Sequence, residues 1–215
     1  MKIINKYSIS LVLIFVLALA CSPLYAESFS GKAYYTRTNI WYENPNKILS
    51  TNYHRGAILP IGTTVKIHSI KGEKIQFTPD GSAQMFTIIN NRKTSTISTE
   101  ELFNRYFSVE AVQVGVGEYQ VTEAERENIK TGTIALGMSK KAVLMAYCYP
   151  PTHKTPLLTS NIWHYWYSRP SEVNVYFKDD KVFQIERIDP APVLRFSKSN
   201  VDSEGGIKSG NKIKE

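Results

Sequence analysis

The chain carries four histidines, His54, His68, His153 and His164, and two cysteines, Cys21 and Cys148. A closed metal site needs ligands at short helix or turn spacing, as in His-x-x-x-His or Cys-x-x-Cys, and no pair here has it. His164 stands between Trp163 and Tyr165, where strand alternation accounts for it as one face of a strand. A cysteine nucleophile needs an adjacent base to draw off its proton. Cys148 sits instead after Met145, Ala146 and Tyr147 and before Tyr149-Pro150-Pro151, the setting of a buried small hydrophobe. Neither a Gly-x-Ser-x-Gly elbow nor a phosphate-cradling glycine loop occurs. These residues point away from an enzyme and imply no cofactor and no metal.

Aromatic side chains carry the stronger signal. Tyr34, Tyr35, Trp41, Tyr42 and Tyr53 concentrate early and interleave with Thr36, Arg37, Asn39, His54 and Arg55. Rings with polar tips suit sites that are apolar on one side and wet on the other, and they are enriched at interfaces. Two readings stand: a groove for an extended ligand, or rings that fill the core of a small barrel. Tyr35, Trp41, Tyr42 and Tyr53 are the partner-binding candidates of this region. Trp163 and Trp166 are those of a later strand. There Trp163, Tyr165 and Tyr167 share one face, and His164 and Trp166 the other. Bulk on both faces implies that helices cover one, while the N-terminal unit or a partner covers the second.

The first 26 residues read as an export signal. Lys2 and Lys6 precede a continuous apolar run, Leu11 to Ala20, and no acid occurs before Glu27. The run is shorter than the roughly 20 apolar residues of a spanning helix and matches the charged, apolar and small-residue parts of a secretory signal. Two processing points fit. Leu17-Ala18-Leu19-Ala20-Cys21 resembles a lipobox, which would acylate Cys21 and tether the protein; Leu24-Tyr25-Ala26 resembles an ordinary cleavage site, which would release it. Either removes Lys2 and Lys6, so cleavage after Ala26 takes the formal charge from +7 to +5. Excess positive charge in an exported chain without a helix-turn-helix or zinc motif favours anionic lipid or envelope polymers over nucleic acid. With Cys21 lipidated or removed, Cys148 has no partner within the chain, so it is a buried thiol or one that pairs between chains.

The elements that position these residues fall in two groups. From about residue 32 to 90 short β-branched or aromatic runs alternate with turns: 33–36, 39–42, 64–69, 74–77 and 85–89, broken at Asn44-Pro45-Asn46, Pro60-Ile61-Gly62, Lys71-Gly72-Glu73 and Pro79-Asp80-Gly81. Thr99 is the expected N-cap of a helix whose stripe is Leu102, Phe103, Tyr106 and Phe107, with Glu100 and Glu101 at its positive end. Residues 109–116 read as a return strand or linker. A second group opens near Thr122 with a helix rich in Glu. Ser139 caps another helix that runs to about Tyr147 and stops before Pro150-Pro151. Three strands follow, at 161–167, 172–178 and 181–187, the last two joined by a hairpin at Lys178-Asp179-Asp180-Lys181.

Two resemblances attach to these groups. Gly56-Ala57-Ile58-Leu59-Pro60-Ile61-Gly62-Thr63-Thr64-Val65-Lys66-Ile67 resembles the central segment of a bacterial SH3-like barrel, with Gly62 at a sharp turn and Val65 and Ile67 facing inward. Gly137-Met138-Ser139 with Val143, Tyr149-Pro150, Trp163, Tyr165 and the run from Val175 to Val182 is similar to the SmpA/OmlA (BamE-like) family. That resemblance implies two helices on a three-stranded antiparallel sheet, in envelope lipoproteins that help assemble outer-membrane proteins. The family usually has glycine where this chain has Cys148, which puts the local turn in question.

The expected architecture is therefore α+β: a signal at 1–26, an all-β SH3-like unit with a short helix at 30–118, a BamE-like unit at 122–196 and a disordered tail at 197–215. The expected function is non-catalytic binding or assembly in the bacterial envelope, at the periplasmic face of the outer membrane if Cys21 is lipidated and soluble in the periplasm or secreted otherwise. The rivals are an SH3-like module that binds peptidoglycan and a secreted enzyme inhibitor.

Overall fold

The computed structural model describes residues 32–51, 53–168 and 171–189. The signal segment with Cys21, and the tail from 197, lie outside the described residues. Among the described residues the fold is mixed α and β, with one curled multi-stranded sheet, a separate three-stranded sheet and three α-helices.

The N-terminal unit is built from β1 (Ala33–Thr36), β2 (Ile40–Tyr42), β3 (Ile48–Leu49), β4 (Ala57–Leu59), β5 (Thr64–Lys71), β6 (Lys74–Pro79), β7 (Phe86–Ile89) and β8 (Phe107–Ser108). Six strands join in the order β3-β7-β6-β5-β1-β8, while β2 and β4 pair as a separate ribbon. Strand alternation sends Val65, Ile67, Ile75 and Phe77 into one core. Gly62, at φ 81°, makes the turn into β5.

Helix α1 (Thr99–Tyr106) adds Leu102, Phe103 and Tyr106 to that core. Its cap is Ser98, whose hydroxyl accepts the Glu101 N–H, and Thr99 is already helical. The reason is local: Thr99 donates its hydroxyl to the Gly72 carbonyl and so holds the helix start against the β5–β6 turn. Phe107 leaves the helix in extended conformation and begins β8. Residues 109–116 form no strand, and Val112 within them is buried in the core of the second unit.

The C-terminal unit holds α2 (Glu123–Thr131), α3 (Lys140–Tyr147), β9 (Ile162–Trp166), β10 (Glu172–Lys178) and β11 (Lys181–Ile188), the strands ordered β11-β10-β9 and all antiparallel. Asp179 and Asp180 take φ of 51° and 57° in the hairpin, the left-handed region that Asp tolerates. Both helix starts converge on Glu125. Its carboxylate accepts Thr122 N–H and hydroxyl on one oxygen, closing a capping box, and Ser139 N–H and hydroxyl on the other. Burial pushes that carboxyl up, but the four donors outweigh it and hold it below the usual range.

The two units are joined through the end of α3. The last four carbonyls of a helix have no partner within it. Leu144 O is taken by the Cys148 N–H, and the other three by the N-terminal unit. Asn39 gives its backbone N–H to Met145 O at 2.9 Å and its side-chain amide to Ala146 O at 3.1 Å, and His54 faces Tyr147 O at 2.6 Å. The Asn39 amide also reaches Ile129 O near the end of α2 at 2.6 Å, and its carbonyl accepts Ile61 N–H. Apolar packing follows the same seam: Cys148 belongs to the first core, and Tyr35 and Ile61 pack on the second.

Because Asn39 is 1% exposed, Asn39→Ala would take the amide from Ala146 O and Ile129 O and the acceptor from Ile61 N–H, and of these Ile129 O keeps the Gly132 N–H. A loss of about 3 kcal/mol is expected, set by desolvated groups left unpaired. Urea denaturation of both chains measures it, and a loss under about 1 kcal/mol would mean that the junction is held elsewhere.

Candidate functional site

The seam leaves a cleft of about 590 Å³ open to solvent. On the inner sheet face Trp163, Val175 and Phe177 lie buried in one core with Ala142, Val143 and Ala146 of α3. Tyr167 and Val173 line the cleft, as do Ile185 and Arg187 of the outer strand, which pair with Val175 and Val173. Trp41 of β2 and the end of α2, from Thr131 to Ile134, close the other wall. Gly132 lets that wall approach. It ends α2 at φ 66°, and a Cβ there would stand 2.6 Å from both Trp41 Cζ2 and Ile58 Cδ1. The Trp41 indole N–H is buried with no acceptor among the described residues.

His54 forms the inner end. Its ring stacks on Tyr147 at 3.4 Å between centroids and meets Trp41 and Tyr165 edge-on. Nε2 faces Tyr147 O and Nδ1 faces Trp166 O at 3.1 Å. A neutral ring has a single N–H for these two carbonyls. Burial lowers the His54 pKa to about 4, and the two carbonyls, which favour the cation, recover only part of that shift. Tyr147 is raised above its ordinary value, by burial first and then by Tyr167.

Charge at the mouth is positive. Arg55 and Arg187 line the cleft, and no Asp or Glu does. Arg187 stacks its guanidinium over the Tyr167 ring at 4.2 Å and pairs with Asp189 at 3.1 Å, while Arg55 pairs with Glu43 at 3.5 Å. Each of these pairs is about half exposed and so holds its arginine weakly. The arrangement offers an aromatic and aliphatic floor beside two guanidiniums, a site for an apolar group carrying or flanked by a carboxylate.

The residues singled out from sequence scatter around this site. Trp41 lines it. Tyr35 packs on the second core and Tyr42 on the first, edge-on to Phe86. Tyr53 and Trp166 meet each other at 6.4 Å outside the cleft, where Lys154 also lies over the Trp166 ring. Trp163 is 1% exposed and fills the core between sheet and helices, so it presents no surface to a partner. The early aromatics therefore build no single groove, because Trp41 and Tyr42 are neighbours on a strand and point to opposite faces. His54, Arg55, Tyr147, Tyr167, Ile185 and Arg187 complete the cleft. Only topology brings them together, and sequence spacing carries no sign of it.

Cys148 is fully buried at φ 64° and ψ −174°, a backbone region that favours glycine. Burial pushes its thiol up, against hydrogen bonds with Thr38 and Tyr106 that pull it down. Among the described residues no three His, Cys, Asp or Glu side chains converge as a metal site, and no helix is long and apolar enough to cross a membrane. No protein-family model, curated protein or solved structure matches the chain.

His54 sets a pH dependence whose sign is fixed. The folded pKa lies below the ordinary 6.5, so its neutral form stabilises fully above pH 6.5, and that stability is lost as pH falls toward 4. A drop of about 3 kcal/mol is expected across this window, at about 1.4 kcal/mol per unit. His54→Gln should start lower at pH 7 and fall less by that amount. Denaturation midpoints at pH 7, 5.5 and 4 measure it, and parallel losses in both chains would remove His54 as the cause.

Proposed function

We propose that this protein is an exported, non-catalytic binding or assembly protein of the bacterial envelope. Its N-terminal unit acts as an SH3-like barrel and its C-terminal unit as a BamE-like domain. The curled sheet of short strands, antiparallel except where β3 pairs with β7, supports the first reading. The chain order of two helices and then a three-stranded antiparallel sheet supports the second. The basic, apolar and small-residue pattern of residues 1–26 supports export, and Cys21 would tether the chain at the periplasmic face of the outer membrane.

One observation carries the binding function: the cleft at the seam, where apolar floor and unsated guanidiniums meet at a solvent-open mouth. Few polar groups set in an apolar recess are the usual make-up of a ligand site. Its occupant in this reading is a protein of the envelope.

A photo-crosslinking residue placed at Thr133, an exposed position of the cleft wall, tests this in cells producing the full chain. A discrete adduct with an envelope protein is expected there and not from the same residue placed at exposed Glu100 on α1. No discrete adduct, or identical adducts from both positions, would contradict the reading. So would co-sedimentation with purified peptidoglycan that is lost on replacing Trp41 by Ala, since that result assigns the site to the cell wall. Mass spectrometry of the mature chain is expected to find acylated Cys21; a free Glu27 would remove the tether.

A further inference from the structure

Strand β11 ends its sheet and is bonded along one side to β10. On its other side only the first two residues are engaged. Lys181 bridges Ser139, and Val182 exchanges backbone bonds with Gly137 and Met138. Over 183–188 every residue is exposed, with Phe183 at 53%, and among the described residues no backbone group takes the outer edge. An open row of N–H and C=O groups is a template for another strand.

The side chains of this run divide between two faces. Ile185 and Arg187 turn into the cleft. Glu186 lies on the opposite face, where its carboxylate accepts the Tyr176 hydroxyl at 2.6 Å. A strand laid against this edge would send alternate side chains toward the cleft and the rest toward Glu186. Edge and cleft therefore form one continuous surface, one part offering main-chain bonds and the other a recess.

We propose that this surface binds an extended segment of a partner polypeptide by strand addition to β11. The proposal rests on the reading of the cleft as a partner site and names the class of partner. Charge fixes the pattern. Cleft-facing positions carry an apolar residue beside Ile185 and, two residues away, an acid for Arg187. Outward positions next to Glu186 are basic or neutral. The weak pairs that hold Arg187 to Asp189 and Arg55 to Glu43 exchange for the incoming carboxylate. A second copy of the chain fits poorly. Its own β11 brings Ile185 and Arg187 to the cleft side, with no acid there, and sets its Glu186 beside the first.

The test uses the full chain, labelled with nitrogen-15, and two blocked heptapeptides, TVKDKVT and its charge-reversed partner TVEKEVT. TVKDKVT is expected to shift the amide signals of 183–188 and to bind at least about tenfold more tightly than TVEKEVT, a difference that one charge-assisted pair supplies. Arg187→Glu should erase most of this preference, and Arg187→Glu combined with Glu186→Lys should reverse it. Methylating the edge-facing amide nitrogens of TVKDKVT should abolish binding, because strand addition depends on main-chain donors. Unmoved signals over 183–188, or equal binding of the methylated peptide, would overturn the proposal. So would protection from exchange, in the free chain, of those 183–188 amides that point away from β10, since the edge would then be occupied by residues 190–215 or by a second copy. If Arg187→Glu leaves the Thr133 adduct intact and peptide binding is absent, the cleft keeps its partner and strand addition alone fails.

Discussion

The structure turns on three carbonyl oxygens at the end of one short helix. A helix of the length of α3 is marginal by itself, and its last carbonyls must find donors or water. Here the donors come from the other half of the chain. The Asn39 backbone and side chain take Met145 O and Ala146 O, and His54 meets Tyr147 O. Each bond stabilises modestly against water, but each buried carbonyl left without one would cost more than the bond contributes. The N-terminal unit therefore acts as the cap of the C-terminal one, and the relative placement of their cores follows.

The cleft is a by-product of that capping. Docking at the α3 terminus brings Trp41 and the loop through His54 against the end of α2 and the second sheet. Tyr167 and, on the outer strand β11, Ile185 and Arg187 are left facing a gap. The buried His54 at its inner end ties the same junction to pH. In acid, the unfolded chain accepts a proton that the folded seam resists.

Much of the fold was legible because it is written locally. Gly62 at a sharp turn, the Asp179-Asp180 hairpin, the helix opening near Thr122, the Ser139 cap and the alternation of Val65 and Ile67 with Lys66 all act within a few residues. Legibility fails where a residue works at long range. Asn39 reads as a polar residue among strand aromatics, yet its partners lie 90 and 107 residues away. His54 shows no spacing of interest, yet it touches Tyr147 and Trp166, 93 and 112 residues on. Among the aromatic candidates Trp41 alone lines the cleft, for a related reason. Nearness in sequence on a strand means opposite faces, so Trp41 and Tyr42 part company, and Trp163 is spent on the core. Cys148, at φ 64°, holds a backbone conformation that favours glycine.

The central claim is that Asn39 and His54 make the two halves one cooperative body, with the cleft fixed between them. Native-state hydrogen exchange at the amides of Ile75 and Phe77 in β6 and of Val173 and Val175 in β10 tests it most directly. Equal opening free energies, falling with the same slope in urea, are the predicted result. Exchange in β10 at a free energy more than about 2 kcal/mol below that of β6 would show the C-terminal unit opening by itself, and would contradict the claim.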